Sequence, residues 1–153
     1  MAHYYLDSSA LVKRYVAEIG TAWVINLCAA SYGHTLYVVR ITGAEIVAAL
    51  FRRARSGALN ASDAQSAATR FKYDFRNRYQ VAEVTEPLID SAMSLAEKHG
   101  LRGYDSVQLA AALELQSVRA ALSLAPITFV CADDQLNAVA TVEGLLIEDP
   151  NTH

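Results

Sequence analysis

The sequence predicts an α/β fold, a three-layer α/β/α arrangement around a central parallel sheet of four to five strands. Two observations lead there. Short apolar runs alternate with longer stretches of helical pattern along the 153 residues, the rhythm of parallel strands joined by crossover helices. The runs "TLYVV" and "ITFVC" also lack polar alternation, as expected of strands covered on both faces. Residues 1–153 read as one domain, a normal size for a chain of this length, with no linker, repeat or low-complexity segment.

The elements follow in order. "HYYL" is a short aromatic strand, and residues 10–15 and 21–30 read as helices, the second with Thr21 as a possible N-cap. "TLYVV" is the second strand. A helix over 43–55 follows, with Gly57 placed for its C-cap. Ser62 and Gln65 have capping-box spacing at the head of a helix that reaches Asn77. "YQVAEV" is the third strand. Thr85 and Pro87 open a helix that Gly100 stops, and residues 104–119 form an alanine- and leucine-rich helix. "ITFVC" is the fourth strand, 133–143 a short helix ended by Gly144, and "LLIE" a fifth strand. The tail "DPNTH" is expected to fray.

Composition narrows the class of protein. Apolar residues make up 53% of the chain, enough for an ordinary core. No apolar run approaches the roughly 20 residues that span a bilayer. No basic segment followed by an apolar stretch opens the chain, so a cytoplasmic, membrane-free protein is expected. Cys28 and Cys131 lack metal-like spacing and sit in apolar stretches, as reduced core thiols do. The histidines His3, His34, His99 and His153 suggest no nitrogen-ligand site. The net charge of −3 is unevenly spread: residues 51–80 carry +5 and the rest of the chain −8. A basic arm beside an acidic pocket suits a polyanion. A solvated helical face is the competing reading.

The acids carry the functional signal. Asp7 closes the first strand, Glu45 opens the helix after the second, Asp105 heads an apolar helix, and Asp133 follows the fourth strand. In an open parallel sheet these points gather at one edge, outside the carboxyl ends of the strands. Carboxylates crowded there repel one another unless a cation lies between them. Each acid has a purely structural alternative. Asp7, Ser8 or Ser9 can cap a helix, Thr42 with Glu45 has capping-box spacing, and Asp133 or Asp134 can cap the last helix. Ser, Thr or Asn would cap equally well, so four acids in these places favour a metal site.

The stretches "YYLDSSALVKRY", "ITGAEIVAALFR", "LRGYDSVQLAAAL" and "FVCADDQLNAVATVEGL" resemble, in order, the four blocks of PIN-domain ribonucleases. The nearest likeness is to VapC-type toxins of toxin–antitoxin pairs. The resemblance implies a PIN-like fold and a catalytic set of Asp7, Ser9, Glu45, Asp105 and Asp133, with the four acids as metal ligands. The "ADxxL" spacing to Leu136 favours Asp133 over Asp134. Mg²⁺ or Mn²⁺ is the implied cofactor, in keeping with an all-oxygen donor set. The implied reaction is metal-assisted hydrolysis of an RNA phosphodiester. Asp7 and Asp105 would be the main ligands. Glu45 would be a ligand or a base, and Asp133 would hold a second ion or an outer water. Lys13, Arg14, Arg52, Arg53 and Arg102 are candidates to grip flanking phosphates.

The resemblance further implies a homodimer and a VapB-like antitoxin whose tail blocks the acidic pocket. Tyr4, Tyr5, Trp23, Tyr32 and Tyr37 could serve such contacts or belong to the core. A non-catalytic module that holds RNA or protein is the alternative function. A receiver or phosphatase would want paired acids at the first strand, where Asp7 stands alone.

Overall fold

The computed structural model describes residues 1–153. Its sheet comprises β1 (His3–Leu6), β2 (Thr35–Val39), β3 (Gln80–Ala82), β4 (Thr128–Val130) and β5 (Leu146–Glu148), all parallel, in the order β3-β2-β1-β4-β5. Seven helices cover it: α1 (Ser8–Leu11), α2 (Thr21–Leu27), α3 (Thr42–Ser56), α4 (Ala61–Asn77), α5 (Glu86–His99), α6 (Gly103–Ala121) and α7 (Asp134–Val142). This is the three-layer α/β/α fold expected, with five strands.

Strand side chains alternate between two cores. Leu6, Leu36, Val38 and Val130 pack beneath α1–α4, around Leu11, Leu50 and Phe71. Tyr5, Val39, Phe129 and Cys131 pack beneath α5–α7, around Leu88, Leu109 and Leu136. Both faces are dry, which is why the strands read as unbroken apolar runs. β1 lies at the centre of the sheet, so its last residues emerge between the two helical layers at the carboxyl edge.

Several helix starts differ from the sequence expectation, each for a local reason. α1 begins two residues early because Asp7 caps it, its side chain accepting from the Ala10 N–H. Thr21 is inside α2 rather than at its cap. Gly20 takes the cap position at φ +85°, and the Thr21 hydroxyl donates to the Val16 carbonyl. Asn60, not Ser62, caps α4, accepting from the Asp63 N–H. The Thr42–Glu45 capping box does not form. Thr42 already lies in the first turn of α3, fully buried, and both side chains face Gln108. Thr85 and Gly100 do bound α5 as expected.

The tail is not frayed. Pro150–Thr152 form a 3₁₀ turn, Pro150 is buried, and the His153 ring stacks on Trp23 at 4.3 Å. Tyr5 is wholly core. Cys28 and Cys131 are both buried free thiols. No helix is long and apolar enough to cross a membrane.

Candidate active site

The carboxyl edge of the sheet opens into a cavity of about 630 Å³ whose walls include Glu45, Asp105 and Asp133. Asp7 follows β1 at the same edge, buried at 3% exposure and not itself among the residues that line the cavity. Its Oδ1 accepts from Ser9 Oγ at 2.6 Å and from the Ala10 N–H at 3.2 Å. Ser9 Oγ in turn accepts from the Ala132 N–H at 2.9 Å, so one hydroxyl ties the ends of β1 and β4 together and aims Asp7. Ser9 Oγ also touches the Cys131 Sγ at 3.6 Å. Burial holds that thiol far above its ordinary pKa, so it stays protonated.

Glu45 lies in the first turn of α3, where Oε1 accepts from Gln108 Nε2 at 2.8 Å. Asp105 lies in the first turn of α6, and neither of its oxygens is engaged by a protein donor. Asp133 caps α7 through Oδ1, which accepts from the Leu136 N–H at 2.8 Å, and it also lines the cavity. Asp134 does not line it. Asp7 and Asp133 both cap helices, and Asp133 lines the cavity as well. One oxygen serves the helix and the other is left over.

The electrostatics are those of crowded like charges. Burial pushes Asp7 up to about 7. The Ser9 and Ala10 donors oppose that rise, and the charges of Glu45 and Asp105 add to it. Burial also raises Asp105, helped by Asp133 and Glu45 and opposed by Arg102. None of the four acids takes part in an ion pair. The eight pairs in the protein involve Glu18, Asp74, Glu83, Glu143 and Glu148. The four acids are neighbours, yet no three acidic, histidine or cysteine side chains are drawn close enough to share an ion. Three of them are each held by a local donor, and mutual repulsion keeps them apart.

A hard divalent cation fits this donor set. The ligand atoms are all carboxylate oxygens, no internal cation competes for them, and one of the carboxyls is buried at an energetic cost that such an ion would relieve. The free oxygens of Asp7 and Glu45 keep some solvent access, since the only enclosed side-chain polar atoms without partners are on His3 and Asn137.

A groove leads away from the acids. A second cavity shares Glu45 and Tyr104 with the first and adds Ser8, Ser9, Arg52 and Arg53, and a third continues past Arg52 to Arg55. Arg52 and Arg102 are thus well placed, as the basic pattern suggested. Lys13 and Arg14 are not: Lys13 is buried against Glu18 and the Ile19 carbonyl, and Arg14 pairs with Asp74. Arg53 reaches the groove but is paired with Glu18. Two further residues carry weight here that the motifs did not single out. Tyr104, 60% exposed, stands between the first two cavities. Gln108 is the lone polar side chain in "VQLAAAL", and that isolation was the signal for it.

A family model for the PIN domain matches residues 4–140, nearly the whole chain. The chain belongs to the PIN-domain family. No curated relative matches it in sequence. Among solved structures, this PIN domain is similar in fold to PAE2754 from Pyrobaculum aerophilum, at 20% identity and a TM-score of 0.64 over 95% of this chain and 83% of that one. It is also similar to FitAcB from Neisseria gonorrhoeae, at 15% identity and a TM-score of 0.61 over 96% and 97%. A third likeness is to VapBC2 from Rickettsia felis bound to a DNA fragment from their promoter, at 15% identity and a TM-score of 0.57 over 96% and 98%.

Proposed function

We propose that this PIN domain is a Mg²⁺- or Mn²⁺-dependent endoribonuclease of the VapC type, the toxin of a toxin–antitoxin pair. One observation carries the reading. A buried Asp7, pushed up to about 7 beside Glu45 and Asp105, has no internal cation to neutralise it. Family membership gives the chemistry that such a cluster would serve, and the fold shared with FitAcB and VapBC2 supports the toxin assignment.

Asp7, Glu45 and Asp105 would hold the ion, and Asp133 would hold a second ion or an ordered water. When bound, the ion supplies Lewis-acid polarisation of the phosphate and a nucleophile at neutral pH. The chain's own residues do the rest. Ser9 orients Asp7. Arg52, Arg55 and Arg102 grip phosphates on either side of the acids, positioning the strand without reading its sequence. A VapB-like antitoxin would enter the same cavity with a basic side chain, and a second copy of the chain would complete a homodimer.

Asp105→Asn tests the assignment. It removes a charge from a side chain that no protein donor holds, so the fold should survive with an unchanged circular dichroism spectrum. RNA cleavage in Mn²⁺ should fall to the level seen in EDTA. Cleavage retained by the folded variant would remove Asp105 from the site and the metal-site assignment with it, and no EDTA-sensitive cleavage by the parent protein would remove the nuclease reading.

A further inference from the structure

We infer that Gln108 is a positioning residue for Glu45: it takes one carboxylate oxygen and leaves the other to the cavity. This rests on the metal-site reading of Glu45. Gln108 is 1% exposed and lies one turn past Asp105 on α6. Every polar atom of its amide is bonded. Oε1 accepts from the Tyr5 hydroxyl at 2.9 Å. Nε2 faces Glu45 Oε1 at 2.8 Å, Thr42 Oγ1 at 2.9 Å and Ser8 Oγ at 3.1 Å. Glu45 Oε2 has no donor within the protein.

The orientation of the amide follows from these partners. Rotated by half a turn, Gln108 would place its own carbonyl oxygen against an ionised carboxylate, whereas the phenol of Tyr5 can donate to Oε1 only as the amide stands. Three oxygens face an NH₂ that has two hydrogens. The carboxylate takes the strongest share because its bond is charge-assisted. Thr42 and Ser8 divide the remainder. Contacts from β1, α1 and α3 thus fix one amide, and the amide fixes which face Glu45 shows to the cavity. Outer partners of this kind typically set metal affinity by about 10–100-fold without touching the ion.

A purely structural glutamine would make the same bonds, so the test separates the two roles. Mn²⁺ affinity is measured by titration calorimetry on the metal-free protein, with melting temperature alongside, for Gln108→Met, Thr42→Val, Glu45→Gln and the Gln108→Met/Glu45→Gln double variant. Gln108→Met should lose about 10–100-fold in Mn²⁺ affinity. Thr42→Val, which removes a neighbouring bond to the same nitrogen, should melt earlier yet bind Mn²⁺ as the parent does. The double variant should bind no worse than Glu45→Gln alone, because Gln108 acts through Glu45. Unchanged affinity in Gln108→Met, or additive losses in the double variant, overturns the inference while leaving the nuclease reading intact. Unchanged affinity in Glu45→Gln overturns the metal role of Glu45 itself, and the inference with it. If Gln108→Met fails to fold, Tyr5→Phe decides. It frees the amide to rotate and should weaken Mn²⁺ binding measurably, and an unchanged affinity refutes the role.

Discussion

Asp7→Asn should make the metal-free protein more stable. The side chain is 3% exposed, and burial is the main cause of its rise to about 7. Against an ordinary carboxylate pKa of about 3.9, at 1.36 kcal/mol per pH unit, keeping Asp7 ionised costs the fold roughly 4 kcal/mol at pH 8. Asparagine keeps an acceptor for Ser9 and the Ala10 N–H, and the rise to about 7 is already net of what those bonds give the charged form. The gain is about 4 kcal/mol, or roughly 8–16 °C in Tm for a chain of this length.

The pH dependence has a definite sign. Folded Asp7 binds its proton more tightly than unfolded Asp7, so its contribution favours folding in acid and is lost as pH rises from about 4 through about 7. The advantage of the variant should therefore shrink by roughly 2.5 kcal/mol between pH 8 and pH 5. Urea denaturation of both proteins in EDTA at these two pH values measures it. Adding Mn²⁺ should then stabilise the parent and leave the variant nearly unmoved, since binding to the folded state alone raises stability. A variant less stable than its parent at pH 8, or a gap that ignores pH, refutes the claim that burial works against this charge.

The remaining predictions concern the groups around that carboxylate and the frame that holds it. Ser9→Ala strands the Ala132 N–H and should cost about 1–3 kcal/mol in denaturation experiments, with a larger proportional loss of RNA cleavage than of stability. Paired Arg52→Glu and Arg55→Glu changes should raise KM for RNA, leave the melting temperature within about 1 °C, and flatten the salt dependence of binding. Gly20→Ala places a Cβ 2.3 Å from the Pro150 carbonyl oxygen at a φ of +85°. It should cost at least about 1–2 kcal/mol and alter the fluorescence of Trp23, the single tryptophan, by freeing His153 from its ring.

Much of this architecture was legible in the sequence because period and burial agree there. "TLYVV" is apolar throughout since Leu36 and Val38 enter one core while Val39 enters the other. The placement of the candidate acids at one sheet edge was legible for a related reason: strand ends and helix starts are marked by local signals, and parallel topology brings those ends together. What the sequence left open were choices between near-equivalent donors. Asn60 beat Ser62 for a cap because residue 61 already belongs to the helix. Thr42 satisfied every rule for a capping box, yet a glutamine 66 positions away claimed both it and Glu45. Local spacing cannot report such long-range competition. It also cannot separate Lys13 and Arg14 from Arg52, since only the folded chain shows which cations are already committed to Glu18 and Asp74.

That commitment of cations sets the acidic edge apart from the rest of the molecule. Six of the eight ion pairs converge on three acids, Glu18, Asp74 and Glu143, each held by two basic side chains, His99 being one of them. Five of the 13 lysines and arginines go to these three acids, while Asp7, Glu45, Asp105 and Asp133 receive none. Only Arg102 stands near enough to ease one of them, and it offsets rather than cancels the repulsion at Asp105. A fold stabilised for its own sake would place one of those spare cations beside Asp7 or replace Asp7 by a neutral cap. On the proposed metal-site reading, the cost of ionising that buried carboxyl is free energy that a cation from outside would recover. A metal ion or a partner's basic side chain would draw on that same free energy, so the two could not occupy the edge together.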